Sequence, residues 1–411
     1  MNRYREIIGR INYALFLAVV ALLPFPQICV RYACVAWFVT WVLEGRWLQK
    51  PASWRENKMM LPFVLFGIWY IWQLVSGIWA DNHAAWSMQM ERYITFGVMI
   101  PVGIWGLNSM YDWRKAGKVF VIGCICAALF YPALLTLLLF HREIIDSLNW
   151  IAPWDYSSFE WWHFYQINLS HIKFRLILCS IDIFAIILIP QVWEGKKYRR
   201  LRIFLIAVLT LSILISGSRQ SIVTLIIVCA LSFIMNMPEP LRLKQGGLFL
   251  LGAMILCGIA IAIHPRTLNT INEPRLELWE IATEHPSDYF WSGLGAGQNH
   301  TYIVRRFIDE NKQVDPSAIG HCHNQYLQEL MELGIGGLLF FIIAWLSIPL
   351  CAQHEGRRTA ILFSTLYGLN MCTDRMFGIY CGVALWSVGL LFILLQSHTH
   401  RQQQAAGSTE A

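Results

Sequence analysis

A chain of 411 residues that is 56% hydrophobic and only 14% charged does not suit a soluble fold, in which about a quarter of residues carry charge. Many of its apolar runs approach or exceed the roughly 18 residues needed to cross a bilayer, and its 19 Trp favour membrane interfaces. The net charge of +6 comes from basic residues scattered among short connections, so it is no sign of nucleic-acid binding.

The apolar runs predict about twelve spans. In chain order they are Ile11–Phe25, Cys29–Leu43, Met60–Trp79, Met90–Leu107, Val119–Phe140, Ile172–Pro190, Leu201–Ser216, Ser221–Met237, Gly246–His264, Leu333–Cys351, Ala360–Met371 and Gly378–Leu395. The first two runs could instead form one re-entrant hairpin around Pro24 and Pro26. Met1–Arg10 is basic and no convincing small-residue cleavage site follows it, so the first run reads as a retained helix. Residues 1–264 then hold spans one to nine, 265–325 a long loop with short helices, 326–396 the last three spans, and 397–411 a disordered tail. Lysine and arginine gather on alternate connections, from Arg3, Arg5 and Arg10 through Lys196, Lys197 and Arg199 to Arg357, Arg358 and Arg401. That side is cytoplasmic by the positive-inside rule, with both termini inside.

The opposite side carries the groups that suggest chemistry. Arg92, Arg219 and Arg375 all lie at span boundaries there, where an arginine is costly unless it is paired or serves a ligand. Each alone could snorkel to headgroups; three on one face point to an anionic ligand. The connection from His141 to Ser170 is rich in Trp, Tyr and Phe. It reads either as an amphipathic segment lying on the bilayer or as a stacking surface for sugars or lipid chains. The 11 Cys show no zinc-type pairs, and most lie in apolar runs as small hydrophobes.

The long loop from Pro265 to Gln325 dominates the outer side. Within it, Asn272 to Glu284 predicts a helix, with Asn272 as cap and Pro274 in the first turn. Arg275 and Trp279 share a face of that helix. Arg275 stands where the helix dipole gives a cation no benefit, so an external anion explains it better. Gly293, Gly295 and Gly297 mark a tight turn that could offer backbone N–H groups. His321, Cys322 and His323 lack the two further ligands that a closed metal site needs, so no metal is expected. A helix starting near Asn324 places a histidine at its positive end, which favours the neutral imidazole that a general base requires.

These residues resemble the bacterial O-antigen ligase and polymerase superfamily. The resemblance rests on Ser218-Arg219-Gln220, on Arg275-x-x-x-Trp279 followed by Gly293-x-Gly, and on His323-Asn324-Gln325-Tyr326-Leu327 running into Glu332-Leu333-Gly334-Ile335-Gly336-Gly337. It implies an all-α polytopic membrane protein of about twelve transmembrane helices, glycosyltransferase-C-like, with a large periplasmic loop. The location implied is the bacterial inner membrane. The single large late loop is most similar to the ligases, which join an undecaprenyl-diphosphate-linked polysaccharide to lipid A–core without a metal or other cofactor and with inversion. By that resemblance His323 is the essential histidine, Arg219 and Arg275 hold the diphosphate, and Asp374 is the acidic residue between the last two helices. Trp279, Asn324 and His321 are supports, and Arg92 and Arg375 are further substrate contacts. An O-antigen polymerase would use the same donor, and twelve spans alone would also permit a transporter or flippase. A transporter, however, should carry ionisable groups near mid-membrane and often inverted repeats.

Overall fold

A computed structural model describes residues 2–48, 57–140, 169, 174–262, 274–309 and 322–407. Every regular element among them is helical. In chain order the α-helices are α1 Asn2–Leu22, α2 Gln27–Glu44, α3 Met60–Val75, α4 His83–Trp105, α5 Trp113–Phe140, α6 Arg175–Val192 and α7 Arg199–Ser216. They continue with α8 Arg219–Met235, α9 Glu239–Ala262, α10 Pro274–Glu284, α11 Asn299–Asp309, α12 Gln325–Cys351, α13 His354–Met371 and α14 Tyr380–Gly407. Each of the twelve apolar runs overlaps a helix of its own. Among the described residues, five stretches are long and apolar enough to cross a membrane: Met60–Ile78, Trp113–Leu137, Arg175–Val192, Gln325–Cys351 and Tyr380–Ser397.

The ends of these helices follow local chemistry. Pro26 opens α2, and Gly45 closes it with a φ of 72° that a side chain would resist. α1 and α2 are separate helices packed along each other. α1 starts at Asn2, well before the apolar run, because charges facing water do not stop a helix. At the other end of the chain α14 continues to Gly407, past residue 396 where the sequence reading ends the last span. Gln and Ala there are good helix formers.

The chain divides into two units. One comprises Met1–Gly45 with Asn108–Ile261, the other Arg46–Leu107 with Ala262–Ala411. In the first, α6 is buried on nearly every side and packs against α5 and α7. In the second, α14 has that central place, against α4 and α13. Its core is aromatic: Trp386 packs on Phe66, Phe363, Tyr367 and Phe377 at ring separations of 4.6 to 5.5 Å. Such tilted and edge-to-face pairs add to the area they bury.

The stretch read as a long polar loop contains a packed helical subdomain. α10 and α11 enclose Leu278, Ile281, Ala282, Tyr289, Ile303 and Phe307 together with Cys322 and Met331. This subdomain is fastened to α12 where that helix breaks. Gly334 has φ 70° and ψ −175°, a region essentially reserved for glycine. Around the break, Leu294 N–H donates to the Met331 carbonyl at 2.9 Å and Gly295 N–H to the Glu332 carbonyl at 2.9 Å. Ile335 N–H donates back to the Phe290 carbonyl at 2.7 Å. The Gly293–Gly297 turn also donates Ala296 N–H to Ser76 Oγ at 2.9 Å. At Leu294, Gly295 and Ala296 the backbone N–H groups that might have cradled an anion are therefore occupied by the protein itself.

A methyl group at Gly334 would lie 2.4 Å from the Trp291 carbonyl oxygen in a backbone conformation that alanine resists. Gly334→Ala should cost about 1–3 kcal/mol or more, read as a lower unfolding temperature in detergent and faster proteolysis of 286–298. An unchanged unfolding temperature would mean that the break is not strained.

Candidate functional site

His323 sits between two anchors. Before it, the Trp279 indole N–H donates to the Cys322 carbonyl at 2.5 Å, tying α10 to this point. After it, Asn324 caps α12 by accepting from Leu327 N–H at 3.1 Å. Asn324 Nδ2 also donates to the Cys372 carbonyl at 3.1 Å, which draws the connection between α13 and α14 alongside. Between these anchors His323 adopts φ 46°, the one positive φ of a non-glycine residue among the described residues. Such a conformation persists when its surroundings over-determine it.

The imidazole faces Asp374. His323 Nδ1 lies 3.4 Å from Asp374 Oδ1, with the histidine side chain 26% and the aspartate 7% exposed. That is long for a hydrogen bond, and bonds of this kind often tighten only around substrate. Asp374 Oδ1 also accepts from Arg375 N–H at 2.8 Å, which fixes the carboxylate. A proton on Nδ1 facing this carboxylate leaves Nε2 as the acceptor nitrogen, the tautomer of a base.

Arg375 follows at once. Its Nε is buried without a hydrogen-bond partner among the described residues. Burial, and then the nearby Arg92 guanidinium, push its pKa down to about 10, against the pull of Asp374 and Glu332. Arg92 projects from α4 with one nitrogen 3.3 Å from Met88 Sδ. Two guanidiniums held within electrostatic reach of each other repel, so an anion between them would be stabilised by both.

A polar lattice beneath the site escaped sequence reading. Glu329 is fully buried on α12 and accepts from Trp69 Nε1 at 2.9 Å, Gln73 Nε2 at 3.1 Å and Gln325 Nε2 at 2.8 Å. Gln325 Oε1 in turn accepts from Phe377 N–H at 3.0 Å, holding the turn that carries Asp374. Glu332, also buried, accepts from Asn299 and Gln328. These acids stand where the polar loop meets the apolar run, and spacing there gives no hint of burial.

The other unit places Arg219. Gly217, at φ 65°, ends α7, and Ser218 caps α8 by accepting from Ser221 N–H, so Arg219 stands in the first turn of α8. Beside this turn Arg175, at the start of α6, donates to the Ser216 carbonyl at 3.3 Å. Sequence reading passed over Arg175, although an arginine heading an apolar run was signal enough. The backbone of Arg275 lies in the first turn of α10, one turn before Trp279. His321, Asn272 and the aromatic stretch from His141 to Gln166 lie outside the described residues.

Cys322 is not placed as a ligand. Its thiol is fully buried in the subdomain core, and burial pushes its pKa up to about 12; metal-binding cysteines need the opposite. Arg306, from the basic set of the loop, is also accounted for. It pairs with Asp288, which accepts from Tyr302 OH at 2.9 Å as well.

The helices define a polytopic membrane protein, and the site sets half-buried arginines beside a histidine–aspartate pair. Residues 181–342 match the family model described as O-antigen ligase. Through that stretch the chain is similar to the O-antigen ligase/polymerase superfamily. The match takes in Arg219, Arg275, Trp279, His323 and Asn324; Arg92, Asp374 and Arg375 lie outside it. No curated protein matches the chain.

Burial pushes Asp288 up, but the bonds from Tyr302 and Arg306 outweigh it and hold its pKa below the usual value. A depressed carboxylate stabilises the fold above its unfolded pKa and loses that effect as pH falls through the folded one. Hydrogen-exchange protection of 299–309 should therefore decline on acidification below the ordinary carboxylate range, and Asp288→Asn should remove part of that dependence. Identical profiles for both proteins would show that this cluster does not brace α11.

Proposed function

We propose that the protein is an O-antigen ligase. It transfers an undecaprenyl-diphosphate-linked O-antigen polysaccharide to a sugar hydroxyl of lipid A–core, on the periplasmic face of the inner membrane, with inversion and without a metal. The observation that carries this reading is the imidazole of His323 facing Asp374, inside and beside the stretch that matches the family. In the reaction, His323 Nε2 removes the proton from the acceptor hydroxyl. The oxygen then attacks the anomeric carbon from the face opposite the diphosphate. The bond between that carbon and the phosphate oxygen breaks, and undecaprenyl diphosphate leaves with the electron pair. Asp374 holds the imidazole in the right tautomer and stabilises the imidazolium.

Negative charge grows on the leaving diphosphate, and fixed guanidinium groups stabilise it. Resemblance assigns that role to Arg219 and Arg275. Arg92 and Arg375 supply further substrate contacts, and Trp279 and Asn324 hold the backbone on either side of His323. His321, two residues before His323, is assigned a supporting role through the conformation of the loop. The energy of transfer resides in the diphosphate linkage, so ATP is not required.

A polymerase uses the same donor, and the substantial connection from His141 to Ser170 keeps that second reading open. Deleting the gene separates the two. Loss of all polymer from the core, with polymer still on undecaprenyl diphosphate, supports the ligase; core carrying a single repeat unit supports the polymerase.

In a purified transfer assay His323→Asn, which tolerates the left-handed backbone, should lower the rate by roughly a hundred- to ten-thousand-fold. Arg219→Lys and Arg275→Lys keep the charge but lose the planar fork, and each should lower it by roughly a hundred-fold. Near-normal rates for His323→Asn would remove the base; near-normal rates for both lysine variants would remove the diphosphate clamp.

A further inference from the structure

α8 and α9 follow each other in the chain and are both apolar, yet a space separates them. Near the start of α8 the Cys257 thiol donates to the Val223 carbonyl at 3.8 Å. Near its end the rings of Phe233 and Phe249 meet at 5.1 Å. Between these two contacts lies a cavity of about 720 Å³, lined by Ile226, Cys229, Ala230, Phe249, Gly252 and Leu256 among others. Its volume falls within the span of about 300–1,000 Å³ typical of small-molecule sites. Apart from the cysteine sulfur, the side chains named are hydrocarbon.

The glycines of α9 are the second observation. Glycine is a poor helix former, and in membrane helices it usually lets two backbones approach closely. At Gly247, Gly252 and Gly258 no other residue among those described comes within 4 Å of where a Cβ would sit. These positions are not spent on packing against another described helix. Gly252 opens directly onto the cavity.

The third observation is where the cavity stands relative to charge. α8 begins at Arg219. At 1.5 Å per residue, Ile226 lies about 10 Å and Ala230 about 16 Å further along the helix axis. One helix thus presents a cation at its start and an apolar slot two to three turns deeper. That is the layout of a molecule with an anionic head and a long hydrocarbon tail.

We propose that the groove between α8 and α9 holds the polyisoprenyl chain of the lipid-linked donor, with its diphosphate toward Arg219. The inference rests on the ligase reading above and adds the site of the tail. An isoprenoid carries a methyl branch on every repeat and is thicker than a straight acyl chain. Small residues at 230, 252 and 253 widen the slot for such a chain. Holding the tail restricts the head to one edge of the bilayer, so each donor arrives with its diphosphate already at the right depth.

The test uses full-length protein in nanodiscs and two donors with the same glycan diphosphate, one on a long polyisoprenyl chain and one on a chain of two isoprene units. Ala230→Phe and Gly252→Phe fill the groove. Each should reduce the long- to short-chain ratio of kcat/KM by about tenfold, because buried apolar area is lost only from the long chain. A ratio equal to that of the wild type would overturn the proposal. A long-chain donor with a diazirine in its tail should also label peptides containing residues 226–230 or 249–256, and excess unlabelled donor should compete. Equal competition by phosphatidylglycerol would make the groove an ordinary acyl-chain site and overturn the proposal too. If wild-type protein transferred from neither donor, the ligase reading would fail, and the labelling would decide the groove by itself.

Discussion

The second unit depends on a helix that is broken on purpose. α12 would run unbroken from its Asn324 cap into the apolar stretch, but Gly334 turns the backbone out of the helix. The carbonyls of Met331 and Glu332 and the N–H of Ile335 are then met by the turn from Phe290 to Gly295. Backbone groups at such a break need partners, since burying them unpaired costs more than the bonds are worth. The subdomain of α10 and α11 is thereby fixed in register with α12. Trp279 inherits that register and reaches the carbonyl next to His323.

The same unit buries acids under the site that make no ion pair among the described residues. Glu329 is satisfied by three neutral donors, and its partner Gln325 passes the constraint on to Phe377. A lattice of this kind holds the turn that carries Asp374 in place through hydrogen bonds alone. Buried polar networks are high-stakes in general: fully met they give one arrangement, half met they destabilise. The turn that faces His323 is therefore held from beneath by Gln325 and Glu329.

Most of the helical plan was legible, because apolar runs of bilayer length allow few alternatives. The start of α12 was legible too, from Asn324 as cap before Leu327 and Leu330, and so was the helix opened by Pro274. The subdomain was not: Leu278, Ile281, Ile303 and Phe307 are spaced for helices, but acidic and basic neighbours dilute the pattern. The break at Gly334 was hidden among Gly336 and Gly337, since three glycines in an apolar run do not say which one leaves the helix. Gly293 to Gly297 could be read as a turn; that its N–H groups serve α12 depends on residues about forty positions away. Asp374 was placed by resemblance alone, and no local pattern announces it.

The break in α12 also bears on how the protein is made. A helix entering a bilayer brings its own hydrogen bonds, whereas the groups freed around Gly334 are satisfied by a segment some forty residues earlier in the chain. Lipid offers them no substitute. The turn from Phe290 to Gly295 must therefore be at hand before the segment around Gly334 can settle. The glycine turn works as an internal assembly factor, and the order of synthesis, turn first and helix second, is the order that this requires.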